Sequence, residues 1–125
     1  MIIFAYIFIV LIIIIAIFQA ALVFGAPLGE LTMGGRFPGK LPRKMRIAAA
    51  VQILVLLCFG VITASKAGIA FEQFYRISKI GIWVIFAFFI FGTVMNLSSP
   101  SRKEKLVMGP ANILALVCSF FTAIG

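Results

Sequence analysis

Four long apolar runs, separated by three polar breaks, set the pattern of this chain. Residues 2–24 carry no charge at all. About 20 apolar residues in a helix cross a hydrocarbon core of about 30 Å. Residues 47–65, 80–97 and 106–124 have the same character. In lipid the backbone must satisfy its own hydrogen bonds, so each run predicts a transmembrane α-helix. A cleavable signal would need a basic start and an apolar stretch of about 7–15 residues. No Lys or Arg precedes Arg36, so the first run reads as a retained span.

The breaks differ in kind. Residues 25–46 hold Gly25, Gly29, Gly34, Gly35 and Gly39 with Pro27, Pro38 and Pro42. Such punctuation excludes a continuous helix and predicts a shaped loop. Residues 66–78 form a shorter connection with Phe71, Phe74 and Tyr75, rings that favour the lipid–water interface. Residues 98–105 are a tight turn, so the third and fourth spans are antiparallel neighbours. There, Ser101 and Glu104 have capping-box spacing. A helix starting at that box would enclose Gly109-Pro110 and kink near it, because proline lacks the N–H and crowds the preceding turn. The fold expected is a single all-α domain, a four-helix transmembrane bundle capped by the 25–46 loop and the 98–105 turn.

Composition agrees. Of 125 residues, 64% are hydrophobic and 11% charged, against about 25% charged in a soluble domain. A soluble fold of this size cannot hide so much apolar surface. The few charges are biased, with 11 Lys+Arg against 3 Asp+Glu. Lys66, Arg76 and Lys79 share one side with the termini. Arg36, Lys40, Arg43, Lys44, Arg46, Arg102, Lys103 and Lys105 lie on the other. The positive-inside rule places that second side in the cytoplasm and both termini outside. The basic residues are the candidates for holding anionic lipid headgroups or a small anion. They do not alternate with stacking aromatics, which argues against nucleic acid.

Little else points to chemistry. There is no histidine, and Cys58 and Cys118 lie inside apolar runs, so no metal, haem or other cofactor is expected. Residues 34–41 approach a phosphate-binding loop, but Leu41 stands where a Ser or Thr must bind Mg²⁺, and a membrane helix precedes it instead of a strand. Asn96-Leu97-Ser98 matches a glycosylation triplet on the wrong side of the membrane. No acid or base lies within the four runs, which disfavours proton-coupled transport. No nucleophile, base and orienting group come together, so no catalytic residue and no enzyme activity is expected.

The polar residues inside the spans are more telling. Gln19, Gln52, Asn96 and Asn112 all fall in the cytoplasmic half, while the outer half is apolar and rich in Phe. Six helical residues rise about 9 Å, so these amides form one layer beneath the loop. Two readings stand: hydrogen bonds between helices, or a pocket open to the cytoplasm with cations at its mouth. On the fourth span Ala111, Ala115, Ser119 and Ala123 recur every four residues, and Ala16 and Ala20 give the first span a shorter version. Such faces allow close helix packing, inside the bundle or between subunits of a homo-oligomer.

Residues 25–36, reading Gly-Ala-Pro-Leu-Gly-Glu-Leu-Thr-Met-Gly-Gly-Arg, are followed by Leu41-Pro42. Residues 96–110 add the run Ser99-Pro100-Ser101-Arg102-Lys103-Glu104-Lys105 and then Gly109-Pro110. In these loops the chain resembles an uncharacterised family of small bacterial four-span integral membrane proteins. The resemblance implies a bacterial inner membrane and a four-helix fold, and brings no catalytic residues. Small multidrug transporters have similar length, but they carry a glutamate in their first helix and this first run has no acid. The function expected is a non-enzymatic binding or accessory protein acting through its basic face. The alternative is a homo-oligomeric channel or uncoupled small-solute transporter.

Overall fold

The computed structural model describes residues 2–125. Its long helices are α1 (Ile2–Val23), α2 (Arg43–Lys66), α3 (Tyr75–Leu97) and α4 (Arg102–Ile124). No strand occurs among the described residues. All four helices are long and apolar enough to cross a membrane. Their outer surfaces are apolar, with Ile13, Ile14 and Ile17 of α1, Leu54 of α2, Phe91 of α3 and Leu106 of α4 exposed. That is the reverse of a soluble bundle and suits lipid as the solvent.

Three helices start earlier than the apolar runs do. α2 begins at Arg43 instead of residue 47, α3 at Tyr75 instead of 80, and α4 at Arg102 instead of 106. Hydropathy marks the hydrocarbon slab, whereas the helix continues past it into the interface. The charged first turns of α2 and α4 are such extensions.

Each helix packs mainly on its two neighbours in the ring α1–α2–α3–α4. Ile2, Lys66, Ala67, Thr122 and Gly125 surround one small cavity. The start of α1 and the ends of α2 and α4 therefore share one end of the bundle. The other end carries the 25–42 loop and the 98–101 turn.

Phe8, Ile12, Leu56, Ile82, Ile85, Phe89, Ala115 and Cys118 form the main core. Phe8 meets Phe89 edge-on at 5.6 Å across the bundle centre, and Phe4 stacks on Phe121 at 4.6 Å. Ala115, Ser119 and Ala123 are buried within this single chain, so the small face of α4 packs inside the bundle. α4 runs unbroken through Pro110. Proline supplies no N–H, so the Leu106 carbonyl lacks its usual partner one turn on.

The long loop is folded, not slack. α1 ends with Ala26 N donating to Ala21 O at 2.9 Å and Gly25 N to Leu22 O at 3.1 Å, a Schellman cap. Two short 3₁₀ turns follow, Gly29–Leu31 and Met33–Gly35. Gly29 N then donates to Gly39 O at 2.9 Å and closes the loop on itself. Only glycine fits there, because a Cβ on residue 29 would lie 1.8 Å from Phe37 O. Beneath the loop, Leu41 packs with Leu22 and Ala49 in a second apolar cluster, flanked by Phe37 and Met45.

Candidate functional site

Under the loop, the bundle centre is not filled. A recess of about 160 Å³ lies there, bordered by Gln19 of α1, Gln52 of α2, Asn96 of α3 and Asn112 of α4. Leu31 and Thr32 of the loop roof it. Leu56 and Phe89 of the main core, with Ile15 and Phe88, form its apolar wall. Each helix thus brings one amide to a common space.

The asparagines do not bond across to other helices. Asn96 Nδ2 donates to Gly92 O and Asn112 Nδ2 to Met108 O, both at 2.9 Å and both within their own helix. Only an NH₂ group can donate to a carbonyl, so the Oδ1 atoms are left as free acceptors. Asn112 Oδ1 sits beside Gly92, where a Cβ would come within 3.0 Å. This glycine makes room for the amide between α3 and α4.

Sequence reading missed the charged member of the site. Glu104 borders the recess and is only 6% exposed. It belongs to α4 because that helix begins at Arg102, so an acid does lie inside the fourth helix. The readable signal was spacing: Glu104, Met108 and Asn112 recur every four residues, on one helical face, and all three border the recess.

The predicted capping box forms with one substitution of partner. Ser101 Oγ accepts from Glu104 N at 3.3 Å, as expected of the N-cap. The Glu104 carboxylate does not reach back to Ser101 N. Ser99 intervenes: its Oγ accepts from Ser101 N at 3.1 Å and donates to Glu104 Oε2 at 3.2 Å.

The same serine holds the loop. Ser101 Oγ donates to Glu30 O at 2.6 Å, and Lys103 Nζ pairs with the Glu30 carboxylate at 3.0 Å. Gly35 packs against Ser101 so closely that a Cβ would approach Ser101 Cβ to 2.7 Å. One turn of α4 therefore caps the helix, anchors the loop and places Glu104.

The basic residues divide. Arg46 Nε donates to Val23 O at 2.8 Å and closes the C-terminus of α1. The Lys40 stem lies over Gly25. Lys103 is paired, as above. Arg43 and Lys44 stand exposed in the first turn of α2, as do Arg102 and Lys105 on α4. Cations at a helix N-terminus oppose its dipole, so helix stability does not account for them.

Arg36 lies elsewhere. It borders a groove of about 620 Å³ with Met33, Phe37, Met45, Phe91, Met95 and Ser98. Phe91 and Met95 are 68% and 56% exposed, so the groove reaches the lipid-facing surface. Glu104 borders both groove and recess and stands between them.

No protein family, curated protein or solved structure matches this chain.

The remaining motifs carry no site. Residues 34–41 follow a 3₁₀ turn and form no phosphate cradle of strand, loop and helix. Asn96 is engaged inside α3. No group of three or more His, Cys, Asp and Glu that could hold a metal occurs among the described residues.

Proposed function

We propose that this chain is a non-enzymatic binding or accessory protein of the bacterial inner membrane, whose basic cytoplasmic end holds anionic lipid headgroups. The observation that carries this reading is the groove beside Arg36. Met and Phe side chains form much of its wall, with Ser98, Ser99 and Glu104 as its polar part, and it reaches from the exposed face of α3 to Arg36, which is exposed in the loop. An acyl chain suits the apolar length, and a phosphate suits the guanidinium. Arg43 and Lys44 lie exposed on the adjoining start of α2. Each basic residue near an anionic surface contributes about 1 kcal/mol.

Orientation follows the same logic. The loop end carries eight Lys and Arg and the opposite end three, which supports a cytoplasmic loop end with outward termini. The likeness of the loops to those of small bacterial four-span proteins agrees with the bacterial membrane.

The test is lipid retention. Protein extracted in a mild neutral detergent is compared with Arg36→Gln, Arg43→Gln, Lys44→Gln by quantitative lipid mass spectrometry. Three lost charges at about 1 kcal/mol each should weaken retention of anionic phospholipid on the order of 100-fold. Equal anionic lipid on both proteins would overturn the reading.

A homo-oligomeric channel or uncoupled transporter is the second reading. The polar recess favours it, since a solute has somewhere to bind. Phe8, Ile12, Ile85 and Phe89 fill the centre beyond the recess, so a pathway would need a subunit interface. Solute-selective flux in liposomes, absent from empty vesicles, would move the conclusion there.

A further inference from the structure

We infer that the recess is a binding site for a small organic ammonium ion, with Glu104 as its counter-charge. This site is separate from the lipid groove, although Glu104 borders both. Its first support is an unbalanced carboxylate. Glu104 is 6% exposed, yet its carboxylate accepts one hydrogen bond, from the Ser99 hydroxyl. Of the two lysines beside it in sequence, Lys103 is turned outward to Glu30 and Lys105 is exposed. A buried charge is costly without a partner of opposite sign.

The second support is the direction of the amides. Asn96 and Asn112 each give an N–H to a carbonyl of their own helix, which leaves both Oδ1 atoms as free acceptors. Ammonium N–H groups are donors only, and match them. The third is aromatic. Phe18, Phe88 and Phe89 border the same space, and the faces of such rings attract cations.

Other occupants fit less well. An anion would meet a carboxylate and amide oxygens. A divalent metal prefers several oxygen ligands, usually including more than one carboxylate, and Glu104 is the sole acid bordering the recess. A volume of about 160 Å³ exceeds what a bare monovalent ion needs and suits a few heavy atoms. The groove gives a route in, because Glu104 borders both spaces.

The test uses methylammonium chloride as the probe and the full chain in neutral detergent. Binding is read from the saturable rise in thermal unfolding temperature at constant ionic strength, with tetrapropylammonium chloride as a control too large for the recess. The wild-type protein should be stabilised by methylammonium and not by tetrapropylammonium. Glu104→Gln should bind about tenfold more weakly or worse, the loss of one charge-assisted contact. Should Glu104→Gln fail to fold, Gln52→Leu serves: it leaves the Ser99 and Ser101 contacts intact and should also weaken binding. Methylammonium stabilisation that is equal in wild type and variant, matched by tetrapropylammonium, or absent from the wild type would overturn the inference.

Discussion

The two ends of this bundle each bury one charged side chain, and they treat it in opposite ways. At the end with the termini, Lys66 is 8% exposed and finds partners within the chain. Its Nζ donates to Gly125 O at 3.0 Å and lies 5.9 Å over the Tyr75 ring. Around it Thr63, Ser65 and Ser78 are buried in close packing, without hydrogen-bond partners among the described residues. At the loop end Glu104 is equally buried; its carboxylate accepts from one serine, and the residue borders the recess with its four amides. The end with the termini holds a small cavity beside Lys66, whose amine has found an acceptor in the chain itself, and the loop end holds a larger one bordered by four amides and Glu104. A polar group in lipid costs free energy unless it has a partner.

The largest expected effect comes from breaking the packed core. Phe89→Ala removes the ring that meets Phe8 and borders the recess. It should cost about 3–5 kcal/mol, seen as a lower unfolding temperature in detergent, and should join the recess to the core. Next is the loop. Gly29→Ala drives a Cβ against the backbone at Phe37. Something must shift, at roughly 1–3 kcal/mol, and limited proteolysis should then cut within residues 25–42 faster than in the wild type.

Ser101→Ala is milder. It removes the N-cap of α4 and the bond to Glu30 O together, at about 1–2 kcal/mol. Loop proteolysis should again accelerate, which separates anchoring from capping alone. The smallest effect belongs to Lys103→Gln. Its pair with Glu30 is exposed on both sides, and such pairs contribute about 0–1 kcal/mol. A loss as large as that of Ser101→Ala would mean that the ion pair, not the serine, holds the loop.

The contrast between the ends was partly written in the sequence. The four spans are legible because apolar length is what a bilayer selects. The amides stand out because polar residues are rare in such runs, and the structure brings Gln19, Gln52, Asn96 and Asn112 around one recess. Between the two readings of that layer, the asparagine bonds within single helices speak for space over cross-linking. The starts of α2 and α3 were not legible, since hydropathy reports the slab and not the backbone, whereas the Ser101–Glu104 box marked that of α4. Glu104 was legible as a cap partner, but its place at the recess was not. The loop was legible only as a break. Its closure joins Gly29 to Gly39, and its docking joins Glu30 to Ser101, contacts that no local pattern encodes.

Thiol accessibility tests the recess most directly. Gln52→Cys and Phe8→Cys would each be placed in a background with Cys58 and Cys118 changed to Ser. Sealed vesicles of both orientations would be treated with a charged, membrane-impermeant methanethiosulfonate. The account predicts that residue 52 reacts from the cytoplasmic side alone and that residue 8 reacts from neither. Residue 52 unreactive from the cytoplasm, or reactive from outside, would contradict it.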